Sequence, residues 1–171
     1  MDNKKILASS TIAIVIGVIL VLISTIAHIV PQYISADAAK VANSVVSIFD
    51  YAMIIIFALL YLWTGMRAAK KYRADMMESA LAAAFSHTIV GVVSLIVNVL
   101  VGILALANIV NGSGIKANES VISGLIFSGV VGAAGIGANV VCGIGLIVLG
   151  ALINFMIGAV GGFFGRGKSQ Y

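Results

Sequence analysis

The chain has 171 residues, 61% of them hydrophobic and 9% charged, with a mean hydropathy of +1.17 and a formal net charge of +4. So little polar surface cannot cover a water-soluble core of this size, which excludes a soluble globular domain and predicts an all-α integral membrane protein. The single cysteine, Cys142, falls in an apolar stretch, has no intrachain partner and says nothing about redox compartment.

A membrane-crossing helix needs about 20 mostly apolar residues to span roughly 30 Å of hydrocarbon. Residues 6–30 carry no charge and stop at Pro31, which cannot continue a helix ladder. This run is too long for a signal-peptide core and has no small-x-small site before Pro31, so it reads as an uncleaved first span. Residues 45–66 form the second span and contain one charge, Asp50. The gap at 67–86 is rich in Ala, Met, Lys and Glu without Gly or Pro, and is expected to prolong the second helix before the chain turns back. Residues 87–110 form the third span and end in Asn111-Gly112-Ser113-Gly114, a turn composition. The apolar region at 120–165 would run about 70 Å as one helix, too far for one crossing. A break is therefore expected at the Gly-rich run 132–139. It leaves a short re-entrant or interfacial segment at 120–134 and a fourth span at 140–164.

Basic residues set the orientation. Lys4, Lys5, Arg67, Lys70, Lys71, Arg73, Arg166 and Lys168 fall at one end of a four-span layout, and only Lys40 and Lys116 at the other. The positive-inside rule then places both termini in the cytoplasm of a multi-pass cell-membrane protein. A fifth crossing would move Arg166 and Lys168 outside. Trp63, Phe163 and Phe164 lie near the inner boundary, and Tyr33 and Tyr51 near the outer one. Arg67, Lys70, Lys71 and Arg73 are expected to touch anionic lipid head groups, with docking of a soluble partner as the sharper alternative. Nucleic-acid binding is excluded, because these four residues lack interleaved aromatics and a fold to present them. Asn111-Gly112-Ser113 and Asn118-Glu119-Ser120 match the glycosylation acceptor pattern in the gap assigned to the outside.

Thirteen of the 19 glycines occur from Gly124 onward. In lipid there is little hydrophobic drive between helices, so small residues at i and i+4 matter because they let backbones approach. Gly124, Ser128 and Gly132 follow that spacing, as do Gly158 with Gly162 and Gly161 with Gly165. These seven are expected to form a packing surface, within the chain or against another subunit.

Few polar groups lie inside the spans. Asp50 sits about one and a half turns inside the second span, and His28 a similar distance from the outer end of the first, antiparallel span. The two can meet, either as a proton or cation site or as an interhelical bond near the outer head groups. Asn98, with Ser94 one turn before it, is expected to bond across helices. His87 and Glu78 are expected to be solvated at the cytoplasmic end. No metal-ligand set, nucleophile motif or phosphate loop is present, so no enzyme activity and no cofactor are expected. A rotary-ring proteolipid is excluded, since spans three and four lack a mid-membrane carboxylate.

The run from Leu60 to Leu104, with TGMRAAKKYR and ESALAAAF, and the ending ALINFMIGAVGGFFGRG resemble small archaeal four-span proteins rich in Gly and Ala. That group has no known function, and the resemblance implies no functional residue. The sequence thus predicts a non-catalytic structural or accessory subunit of a membrane complex, whose partners are the bilayer and other membrane subunits or copies of itself. The alternative is a small channel or transporter, with the break at 132–137 as gate and Asp50 and His28 lining the path.

Overall fold

The computed structural model describes residues 2–29, 36–112 and 119–166, with side chains for all of these except 36, 39, 43, 104–112, 119–136, 138 and 139. Four helices make up the described chain: α1 (Asn3–Ile29), α2 (Ala36–Tyr72), α3 (Met76–Gly112) and α4 (Glu119–Gly165). All four are long and apolar enough to cross a membrane. The chain is a multi-pass helical membrane protein.

The α2–α3 turn is short because both of its helix ends are closed locally. Arg73 takes up the left-handed conformation with φ 51°, and the Ala74 N–H donates to the Ala68 carbonyl at 3.1 Å. Asp75 then caps α3. The Glu78 N–H donates to Asp75 Oδ1 at 2.6 Å, and the Asp75 N–H donates to Glu78 Oε2 at 3.0 Å. This reciprocal capping box satisfies two N–H groups that a helix start leaves without partners. The other Glu78 oxygen accepts the Asp2 N–H at 2.7 Å, and Lys5 Nζ lies 3.9 Å from the carboxylate, so the start of α1 is tied to the turn.

Two helices flank a central pair. α1 and α4 each pack on α2 and α3, and they do not touch one another among the described residues. The buried residues concentrate at the turn end of the bundle and are small: Ser9, Ser10 and Ala13 on α1, Thr64, Ala68 and Ala69 on α2, Ser79, Ala80, Ala82, Ala83 and Ser86 on α3. Ser10 Oγ donates to the Ala82 carbonyl of α3 at 3.1 Å. Among the described side chains of α4 the buried positions are Asn154, Gly158, Gly161, Gly162 and Gly165. Their three-to-four-residue spacing presents one helical face to α2 and α3.

The glycines on that face hold three backbones together. A Cβ on Gly65 would strike the Gly158 carbonyl oxygen, and one on Gly161 would strike that of Leu62. On the α3 side, a Cβ on Gly158 would lie 2.5 Å from Ala83 Cβ, and one on Gly162 2.7 Å from Ser79 Cβ. A Cβ on Gly165 would lie 2.8 Å from Ala69 Cβ. Four of the seven expected packing residues therefore pack within the chain. Gly124, Ser128 and Gly132 lie in α4, outside the residues whose side chains are described.

The expected break at 132–137 is corrected. α4 runs as one helix of 47 residues, and no separate re-entrant or interfacial segment stands at 120–134. Each glycine weakens a helix by about 1 kcal/mol relative to alanine, yet it still donates its N–H. Only proline would remove that donor, and this region has none. In an apolar medium each broken backbone bond costs several kcal/mol, so the ladder outlasts the glycines.

Candidate functional site

The bundle is tight at its turn end, where glycines bring α2 and α4 to backbone contact. Gly65 meets Gly158, Leu62 and Met66 meet Gly161, and Ala69 meets Gly165. Away from the turn the helices leave two cavities. One of about 410 Å³ lies between α1, α2 and α3, where Ser24, His28, Met53, Phe57 and Asn98 line it. The other, about 620 Å³, lies between α3 and α4 and is lined by His87, Asn98, Val99, Cys142 and Ile147 among others. Ser94, Asn98 and Val101 line both, so the two adjoin across one face of α3. We refer to them together as the vestibule.

Two rings close the vestibule toward the turn and form its floor, Phe57 in the smaller cavity and His87 in the larger, with Tyr61 packed between them. His87 stands edge-on to Tyr61, with ring centroids 5.5 Å apart, and Tyr61 stacks on Phe57 at 6.0 Å. Tyr61 is 2% exposed. A Cβ on Gly150 would collide with His87 Nε2, so a glycine on α4 is what makes room for the imidazole. His87 Nε2 itself is buried without a hydrogen-bond partner.

The rim is ionisable. His28 Nδ1 lies 2.8 Å from the Ser24 carbonyl oxygen, one turn back on α1, and its Nε2 lies 3.2 Å from Asp50 Oδ2 on α2. Both side chains are about half exposed, at 49% and 48%.

No protein-family model, curated protein or solved structure matches this chain. The functional reading therefore rests on the geometry of its own residues.

The structure brings His28 and Asp50 together, as their positions on antiparallel spans allow. It departs from the sequence reading at three polar residues. Asn98 bonds within its own helix, its Nδ2 donating to Ser94 Oγ at 3.4 Å, and lines the vestibule instead of joining two helices. Glu78 is 5% exposed, held by the capping box and the N-terminal segment. His87 is packed into the floor. The last two are expected to be solvated, since a polar residue at or before the cytoplasmic edge of an apolar run reads as membrane exit; the α2–α3 hairpin instead folds that stretch against α1 and α4.

The four basic residues collect beside the turn. Arg67 lies over Trp63, 5.2 Å from the ring centroid, and its Nη2 donates to the Tyr72 hydroxyl at 3.5 Å; Lys71 lies 5.7 Å from the Tyr72 ring. Lys70 and Arg73 are exposed. Sequence reasoning missed Tyr61, Thr64, Ser79 and Asn154 as buried positions. One available signal was overlooked, the Asp75-x-x-Glu78 spacing of a capping box.

Proposed function

We propose that this chain is a non-catalytic subunit of a membrane assembly in the cell membrane, its turn end and both termini cytoplasmic. One observation carries the reading: α2, α3 and α4 all outrun the slab that α1 defines, and α3 and α4 do so almost without charge. About 35 Å of helix separates Lys5 from His28 on α1, close to the roughly 30 Å of a hydrocarbon core; the same length back from Arg73 reaches Asp50 on α2, which continues about 21 Å further to Ala36 and carries Asp37 and Lys40 there. Measured equally from Glu78, α3 leaves that slab near Val101; measured back from Arg166, α4 leaves it near Gly143. Yet α3 continues to Gly112 and α4 begins at Glu119. The overhang has Glu119 as its sole acid or base among helical residues 101–112 and 119–143.

An apolar projection of this kind is costly in water and is relieved by tilting, by local thickening of the bilayer or by association. About 17 Å of α3 and 36 Å of α4 exceed what tilt alone absorbs. A covering subunit, or a second copy, supplies the apolar environment. The basic residues at the turn end, seven among the described residues against Lys40 alone toward the other, support the cytoplasmic assignment of that end. Purification from native membranes in mild detergent, followed by native mass spectrometry, tests the reading. An assembly heavier than one 17.6 kDa chain is expected. A monomer without co-purifying chains would overturn it.

The vestibule favours a second reading, a small channel or transporter acting alone. Its path would run past His28, Asp50 and Asn98 to the Tyr61–His87 floor and not through residues 132–137, where the backbone is helical. Selective flux through the purified chain in proteoliposomes would decide for it.

A further inference from the structure

The hydrogen bonds of His28 call for one proton more than a neutral imidazole carries. Nδ1 faces the Ser24 carbonyl oxygen at 2.8 Å, and a carbonyl only accepts. Nε2 faces an Asp50 carboxyl oxygen at 3.2 Å. Two arrangements satisfy both contacts. Either the imidazolium donates from both nitrogens to a carbonyl and a carboxylate, or the neutral ring donates from Nδ1 while a protonated Asp50 donates to the Nε2 lone pair. These are two placements of a single proton, and the pair is neutral in each. Removal of that proton leaves a nitrogen lone pair facing a carboxylate oxygen, a repulsive contact carrying one negative charge.

We propose that His28 and Asp50 form a proton-for-cation exchange site at the rim of the vestibule, which takes an organic cation with an apolar body. With the proton on, the pair is closed and neutral. When the proton leaves for water, the ring keeps its Nδ1–H and the Asp50 carboxylate takes the positive head of the ligand in its place. One N–H or O–H bond breaks, one positive charge departs and one arrives.

The walls select the ligand. Val21, Met53 and Phe57 line the site with apolar groups that suit an apolar body. A volume of about 410 Å³ lies in the usual range for small-molecule sites. A strongly hydrated inorganic ion would need several oxygen ligands. Beside His28 a single carboxylate, Asp50, stands on α2. No other charge offsets it nearby among the described residues. On α1 the next charged groups are Lys4 and Lys5 at the far end; on α2, Lys40 and Asp37 lie about 15 Å and more along the helix; α3 presents Asn98, with Glu78 and His87 toward the turn. The site stands whether the chain works alone or within an assembly.

The test is titration of the purified full-length protein in mild detergent with tetraphenylphosphonium, by calorimetry in two buffers of different ionisation enthalpy. We expect about one proton released per cation bound, and a Kd that tightens about tenfold per pH unit while the pair holds its proton. Asp50→Asn should lose binding with an unchanged melting curve. His28→Gln has no imidazole proton to give and should bind without proton release. Absence of binding by the wild type, binding without proton release, or wild-type binding by Asp50→Asn would each overturn the proposal, and the wild-type stoichiometry decides it even if a variant does not fold.

Discussion

Gly158→Ala tests whether the small-residue core is the main source of the bundle's stability. The new methyl group would lie 2.5 Å from Ala83 Cβ, 2.9 Å from the Ser79 carbonyl oxygen and 3.1 Å from Ala80 Cα. None of these is the far end of a flexible side chain, so α3 and α4 must part by about 1 Å to restore ordinary separations near 3.5–4.0 Å. A gap of that size forfeits about a quarter to a half of each contact's attraction, and overpacking of a dense core costs about 1–3 kcal/mol. Alanine returns about 1 kcal/mol of helix propensity. The net loss is therefore about 1–2 kcal/mol, and more for Gly158→Leu, which adds three further carbons. Gly145 is the internal control, because a Cβ there meets nothing within 4 Å. Gly145→Ala should leave stability unchanged or raise it by up to about 1 kcal/mol. Thermal unfolding in mild detergent, followed by fluorescence of the single tryptophan, Trp63, and by helical circular dichroism, compares the two. If Gly158→Ala unfolds no earlier than Gly145→Ala, close approach at the turn end is not what holds α4 in place.

Glu78→Ala removes the acceptor of the Asp2 and Asp75 N–H groups, and should cost about 1–2 kcal/mol in the same unfolding assay while raising hydrogen exchange at the start of α1; an unchanged exchange pattern would show that the N-terminal tether is not stabilising. His87→Leu removes a buried nitrogen without a partner and should be neutral or stabilising, whereas a loss above about 2 kcal/mol would reveal a partner for Nε2. In intact cells carrying Cys142→Ser, a membrane-impermeant thiol reagent should label a cysteine at Ser113 and not one at Ser169; the opposite pattern would invert the proposed topology.

Helix number and the position of each apolar run were legible because hydropathy over about 20 residues is an additive property of the sequence. Helix ends were not, since they depend on contacts between distant residues. α3 begins at Met76, eleven residues before its strongly apolar run at His87, because Asp75 and Glu78 cap it there and Ala80, Ala82 and Ala83 find neighbours on α1 and α4. The same logic explains Gly158, Gly161 and Gly162. Spacing alone announced close packing, but it could not say whether the partner was α2, α3 or another chain.

Burial of the polar residues follows from this asymmetry. A side chain on an apolar helix is placed by what faces it, and the contact partner is set by the antiparallel register of α3 and α4. In that register Gly91 meets Ile147, Leu95 meets Gly143 and His87 meets Gly150. Asn98, one turn further from the floor than Ser94, lines both cavities and bonds back to Ser94 on its own helix. The glycines near the turn and the vestibule away from it are thus two consequences of one geometry. Helices brought to backbone contact at one end, with Val, Leu and Ile on their facing surfaces toward the other, must splay. An α4 substitution that spreads the turn end should therefore alter the vestibule as well. Loss of cation binding in Gly158→Leu beside retained binding in Gly145→Ala would show that coupling, and equal binding by a folded Gly158→Leu would disprove it.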